Sequence, residues 1–277
     1  MRAAIIYFSQ TGNTERIAKA ISSGLESQEL STDLLPLRHV IPEELGKYDL
    51  LGFGHPVFFW KPPLNVRRFI HSLPSLEGQR GFAFCTWATH ESSALLVTAK
   101  MLSQRGLQLI GTFDARGLDS YPIYNRMGLG FGHPDEKELM AAMEFGASLA
   151  RKMRDGEEVE VLSPRRIFHL LPLLSPDWLT SSRLFPEVRL RREACDGCGE
   201  CVGFCPVNNI EISSYPILGD DCLKCYHCTE ACPRTALYVT WRWYHVVGWI
   251  VYPYGWFFSL WDKVKFLLCD FPSGGQP

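Results

Sequence analysis

A chain of 277 residues and 31.5 kDa is long enough for one large domain or two unequal ones. With 46% hydrophobic and 21% charged residues it has the balance of a globular protein, which excludes wholesale disorder. A formal net charge of −2 argues against nucleic acid as a partner, because phosphate contacts need a basic surplus.

Taken in chain order, Ala3–Phe8 is an apolar run too short for a signal-peptide core or a membrane span, so the expected location is cytoplasmic. It reads as a buried strand. Thr14–Leu25 follows with Ile17, Ile21 and Leu25 at helical spacing, and Ser31–Leu37 is a weaker strand. Asp49–Gly54, Gly81–Trp87 and Leu107–Phe113 read as further buried strands. Helical stretches lie near Leu64–His71, Ser92–Arg105 and Asp135–Arg154. Short strands alternating with helices over residues 1–162 predict an α/β fold, a doubly wound parallel sheet of five strands. In such sheets ligands bind beyond the carboxyl ends of the strands. The loops Ser9–Thr14, His55–Pro63 and Thr86–Glu91 leave those ends and are expected to converge on one site.

Residues 163–192 hold Pro164, Pro172, Pro176 and Pro186, which forbid a continuous helix, and read as a connector. Its arginines are Arg165, Arg166, Arg183, Arg189, Arg191 and Arg192, against Asp177 and Glu187. Residues 193–240 carry seven acidic side chains against two basic ones, together with eight of the ten cysteines. The positive connector is expected to clamp this acidic part against the sheet domain. Residues 241–277 form an aromatic extension. Within it, Trp243–Trp261 is an uncharged stretch with nine aromatic rings among 19 residues, close to the shortest membrane span. Packing on the protein's own surface, an in-plane membrane contact through 243–261, docking to a partner and a true span remain open for it.

The cysteines carry the strongest signal. The pattern C-x-x-C-x-x-C-x-x-x-C-P occurs at Cys195–Pro206 and again at Cys222–Pro233. Clustering of this kind does not make a disulfide framework; it points to metal ligation in a reducing compartment. Three thiolates spaced by two residues suit one iron–sulfur cubane, and the fourth, before proline, reaches the other cluster. That gives Cys195, Cys198, Cys201 and Cys232 to one [4Fe–4S] centre, and Cys222, Cys225, Cys228 and Cys205 to a second. Zinc is the competing reading, but a tetrahedral zinc site has no use for four cysteines in one short loop, twice over.

The second signal is Ser9-Gln10-Thr11-Gly12-Asn13-Thr14 between a strand and a helix. Backbone N–H groups at the helix start, with hydroxyls from Ser9, Thr11 and Thr14, suit a phosphate, and Gly12 permits the turn. No Gly-Lys-Ser/Thr ending is present, so a triphosphate site is not implied. Hydroxyl-rich turns of this kind are also plain helix caps. Cys85 reads as core. His55 and His90 fall in site loops, where surface histidines are common.

These motifs resemble a family of flavodoxin–ferredoxin fusion proteins, with a flavodoxin-like domain ahead of a two-cluster, bacterial-type ferredoxin domain. The resemblance rests on the Ser9–Thr14 loop, on Gly54–Pro63, and on the doubled cysteine motif including Cys205-Pro206-Val207-Asn208-Asn209-Ile210. It implies FMN, with its phosphate on Ser9, Thr11, Gly12, Asn13 and Thr14, and its ring against Pro56, Val57, Phe58, Phe59 and Trp60. Thr86 and Trp87 belong to the third flavin loop, which here departs from the family's glycine-rich form. The implied function is electron transfer between two [4Fe–4S] clusters and FMN, with redox proteins as partners. A flavin-dependent reductase acting on a small substrate is the alternative.

Overall fold

The computed structural model describes residues 1–88, 93–121, 125, 128–156 and 187–239. Residues 1–240 form one compact unit. The aromatic extension, and with it Cys269 and 243–261, lies outside the described residues, as do most of the connector and His90.

The first half is built on β1 (Arg2–Tyr7), β2 (Ser31–Pro36), β3 (Leu50–Pro56), β4 (Arg80–Trp87) and β5 (Gln108–Arg116). They form one five-stranded sheet in the order β2-β1-β3-β4-β5, every pair parallel. The reversal of direction away from β1 places a crevice between the loops after β1 and β3. Alternation along β1 explains how both faces are buried. Ala3, Ile5 and Tyr7 join one core cluster with Ile17, Ile21 and Leu25 of helix α1 (Asn13–Glu26). Helix α4 (Glu136–Asp155) covers the same face through Ala142 and Leu149. Ala4, Ile6 and Phe8 face the other way, onto Val66 and Ile70 of α2 (Leu64–Ser72) and Ala99 and Leu102 of α3 (Ala94–Gln104).

Helix α4 begins at a capping box. Asp135 accepts from the Lys137 and Glu138 N–H groups, and Glu138 accepts from the Asp135 N–H. His133 Nδ1 sits 2.8 Å from Glu138 Oε2 in the same cluster, so these side chains are occupied in starting the helix.

The second half holds β6 (Val188–Leu190) paired with β9 (Leu237–Val239), and β7 (Ile210–Ile212) paired with β8 (Pro216–Leu218), both antiparallel. Single turns of helix at Glu200–Phe204 and His227–Ala231 follow the two cysteine loops. Strand β6 corrects the expected boundary. The ladder to β9, continued by Arg191 N–H to Ala236 C=O at 2.8 Å, assigns residues 188–192 to the cysteine domain rather than the connector. Three residues are too few to show a period in sequence. Two of the exposed arginines placed there lie over rings of their own domain. Arg191 lies 5.0 Å over the Tyr238 ring and Arg192 5.8 Å over Tyr215.

Candidate functional site: a cleft at the strand ends and two cysteine sites

The three expected loops do converge. Ser9, Gln10, Thr11, Asn13, Thr14, Pro56, Val57, Phe58, Thr86, Trp87 and Ala88 line one cleft, together with Gly117–Ser120. About 420 Å³ of space, part of it open to solvent, lies between these walls. Helix α1 starts at this cleft from Gly12, which lies in the left-handed region at φ 86° and has no side chain of its own to cap the helix. Its first-turn N–H groups and the positive end of its dipole therefore face the cleft, which suits a phosphate. Ser9 Oγ accepts from the Glu15 N–H at 3.3 Å, and Thr14 Oγ1 lies 2.8 Å from Thr86 Oγ1, tying the first loop to the third. Asn13 donates to the Leu118 carbonyl at 3.0 Å and so ties the first loop to the end of β5. Trp87 donates from Nε1 to Asp114 at 2.8 Å, with Arg116 6.0 Å from its ring.

Phe58 lines the cleft, whereas Phe59 and Trp60 stand beyond its wall, at the tip of a hairpin. Phe58 and Lys61 exchange both backbone hydrogen bonds at 3.0 Å across the two residues between them. Phe59 and Trp60 then take φ 50° and 65°, the values of a type I′ turn, which normally selects Asn and Gly. Bulky residues held there are strained, by about 1–3 kcal/mol each. Strain of this kind collects where a wall must keep its shape.

His55 is neither exposed nor aimed at the cleft. It is completely buried, with Nδ1 2.9 Å from the Pro56 carbonyl and Nε2 2.6 Å from Thr98 Oγ1. Since a carbonyl only accepts, Nδ1 carries the proton. Burial pulls its pKa down to about 4, against the pull of the Pro56 carbonyl. The histidine braces the turn after β3. Cys85 is buried, as expected of a core residue.

Gly117–Ser120 was missed in sequence. The rule that selects the other loops applies equally to β5, but the strand runs to Arg116 rather than ending at Phe113. Asp119 is the notable residue of this loop. Burial pushes its carboxyl up to about 6, against the Tyr121 N–H that it accepts at 2.8 Å and with help from Glu230.

The cysteines fall into two sets. Cys195, Cys198, Cys201 and Cys232 line one cavity with Ile212, Pro216 and Leu237. Cys225 and Cys228 both lie close enough to Cys222 and Cys205 to feel their charge, and Cys228 also feels Cys201 of the first set. Each set thus draws three thiols from one motif and the last from the other. Burial pushes the Cys225 and Cys228 thiols up to about 12. Burial also acts upward on Cys232, but the N–H groups of Leu237, Ala236 and Arg234 outweigh it and hold that thiol below its ordinary value. Asn209 N–H donates to Cys205 Sγ at 3.1 Å. A tetrahedral zinc site holds its sulfurs about 3.8 Å apart, from Zn–S bonds of about 2.3 Å. Among the described residues no three cysteines bring their Sγ atoms within 4.8 Å of one another.

The duplication extends to the backbone. Gly197, Gly199 and Asn208 have left-handed φ of 73°, 77° and 51°; their equivalents Lys224, Tyr226 and Thr235, each 27 residues on, have 54°, 57° and 48°. Tyr226 therefore holds a glycine conformation, and it is 1% exposed.

The second cysteine loop joins the two halves. Gln10 Nε2, on the first cleft loop, donates to the Cys225 carbonyl at 3.0 Å. Leu223 is buried in the core cluster that holds Phe8, Phe53 and Val66. Phe59, Tyr121 and Tyr226 follow one another edge to face, at 6.4 and 5.4 Å between centroids. The Arg68–Asp221 pair at 3.0 Å spans the same seam, but both side chains are mostly exposed and add little.

A parallel 2-1-3-4-5 sheet whose first helix starts at the cleft, followed by a doubled cysteine domain, defines a class that pairs a flavin fold with an iron–sulfur type of domain. Residues 5–118 match the flavodoxin family and residues 187–233 match the 4Fe-4S dicluster domain. An uncharacterized protein of Methanocaldococcus jannaschii is 30% identical over 155 residues, 54% of this chain and 99% of that protein. A flavodoxin of Clostridium saccharobutylicum is 28% identical over 163 residues, 56% of this chain and 98% of the relative. The solved structure of a flavodoxin from the domain Archaea has 22% identity and a TM-score of 0.45, covering 56% of this chain and 99% of its own. The chain belongs to the flavodoxin family, with a 4Fe-4S dicluster domain fused behind it, and is an electron-transport iron–sulfur flavoprotein. Among the described residues no helix is long and apolar enough to cross a membrane.

Proposed function

We propose that the protein exchanges electrons internally between FMN in the cleft and two [4Fe–4S] clusters, one in each cysteine set, with the Cys222 set nearest the flavin. FMN exchanges one or two electrons and each cluster one, so together they convert between single-electron and two-electron partners. The start of α1 binds the phosphate, and Phe58 and Trp87 exclude water from the ring site. The fourth thiols, Cys232 and Cys205, cross between the motifs and lock the two cysteine loops together. Gln10 and Tyr226 hold the second loop against the cleft. The observation that carries the reading is the Gln10–Cys225 hydrogen bond, which joins a cleft loop directly to a cysteine ligand loop.

The test is anaerobic purification with flavin identification and iron counting, followed by rapid one-electron reduction of the clusters while flavin absorbance is followed. Flavin reduction at a rate independent of protein concentration supports internal transfer. Release of FAD, or flavin reduction that appears only as the protein is concentrated, would refute it.

A further inference from the structure

The two cysteine loops share a backbone but not a covering. Gly197, Gly199 and Gly203 of the first loop correspond to Lys224, Tyr226 and Glu230 of the second. A side chain added at Gly203 would meet nothing within 4 Å, and at Gly197 and Gly199 its first carbon would come no closer than 3.5 Å to Ser214 and 3.9 Å to Ile212. The first loop is bare at three positions where the second carries side chains. Tyr226 is 1% exposed, and Leu223 and Cys225 pack against the core cluster that holds Phe8 and Val66. Cys205 and Cys228 are buried as well. In the first set only Cys201 is buried; Cys195 and Cys232 are half-buried and Cys198 is exposed.

Other influences do not separate the two sites. In the first set Cys232 accepts from the N–H groups of Leu237, Ala236 and Arg234. In the second, Cys205 accepts from Asn209 at 3.1 Å, Cys222 from Lys224 at 3.4 Å and Cys225 from His227. Each site also has charges of both signs beside it. Arg234 pairs with Asp196 at 2.8 Å at the first, and Lys224 and Glu230 belong to the second loop. Burial is what differs. An added electron is an added negative charge, and it costs more where protein replaces water. Solvent exposure is accordingly one of the levers on cluster potential.

We propose that the exposed Cys195 set is the site of higher potential and takes the first electron, while the Cys222 set, packed against the sheet domain, is filled second. The proposal rests on the reading that each set holds a cluster. Each centre accepts one electron from an external one-electron donor; no bond breaks and no proton is required. Of the two clusters, a chain holding one electron therefore keeps it at the outer site. The inner site fills when a second electron arrives, so that a pair is on hand for a flavin that takes two.

The full-length holoprotein is titrated potentiometrically without oxygen while low-temperature electron paramagnetic resonance follows the clusters. A water-soluble gadolinium chelate marks the outer site, because its effect on relaxation falls steeply with distance. The first signal to appear is expected to be the chelate-sensitive one, with the first electron favouring that site by about tenfold or more, a gap of about 59 mV. Arg234→Gln leaves Asp196 unpaired at the outer site. It is expected to disfavour the first reduction about threefold and to leave the second within about 1.5-fold. Equal midpoints, earlier reduction of the chelate-insensitive centre, or a shift of the second midpoint alone in Arg234→Gln would overturn the order. Iron of about four per chain would remove the order together with the two-cluster reading. Iron of about eight with the sequence reversed would remove the order alone.

Discussion

The ring of Tyr226, in the second cysteine loop, meets that of Tyr121, beyond β5, edge to face at 5.4 Å. Tyr226 achieves this from a left-handed backbone, where the first motif has Gly199. The two copies of one motif thus differ where one copy packs a ring against Tyr121 and the other carries no side chain. A tyrosine at such a φ strains the backbone by about 1–3 kcal/mol, and it is kept because its buried ring is worth more.

Replacing Tyr226 by glycine tests that balance. Backbone strain is relieved, but the ring leaves a hole, and a buried aromatic deletion costs about 3–5 kcal/mol. The expected net loss is about 2–3 kcal/mol. Amide exchange should rise at Ser120–Tyr121 and along 222–228 but not in β1, β3 or β4. Uniform loss of protection across the sheet would show that the ring supports the whole fold rather than the seam.

Crossed ligation predicts which cluster each fourth cysteine serves. Cys205→Ala should remove the cluster of the Cys222 set, and Cys232→Ala that of the Cys195 set, each lowering iron to about half. Electron paramagnetic resonance of the remaining cluster tells the two variants apart. Loss of the same signal from both variants would refute the crossing.

At Gly12 both charge and backbone matter. Gly12→Asp puts a strained residue and a negative charge at the start of α1, and FMN affinity should fall about a hundredfold. Gly12→Asn, which tolerates left-handed φ and adds no charge, should stay within about tenfold of the parent. Fluorescence titration of the flavin-free protein reads both. Equal losses would place the whole effect in the backbone.

Acid sensitivity follows from His55. Its folded pKa of about 4 lies below the ordinary 6.5, so the unfolded chain takes up its proton first as pH falls. The stabilisation is complete above pH 6.5 and is lost as pH falls from there toward 4, amounting to about 2 kcal/mol by pH 5. His55→Gln should be less stable than the parent at pH 7.5, through the lost Pro56 and Thr98 contacts, yet lose less on going to pH 5. Denaturation midpoints at the two pH values check this, and parallel losses would exclude His55 as the source.

Much of the architecture is carried by local pattern. Alternating buried runs such as Ala3–Phe8 and Gly81–Trp87, with helical spacing at Ile17, Ile21 and Leu25, are enough to specify the parallel sheet, because burial on both faces leaves few other uses for such segments. The cysteine sets are legible because ligand chemistry restricts spacing. The cleft loops are legible because ligands gather at strand ends. Three features waited on tertiary structure. Residues Val188–Leu190 become a strand only through their partner β9, since three residues carry no period of their own. His55 looks like a loop histidine until Thr98, 43 residues away, closes over it. The seam depends on pairs such as Gln10 and Cys225, separated by 215 residues, and no local pattern encodes a hydrogen bond between a loop amide and a distant backbone carbonyl. Spacing along the chain decides which groups can bind a cofactor; only packing between distant segments decides which cofactor sites become neighbours.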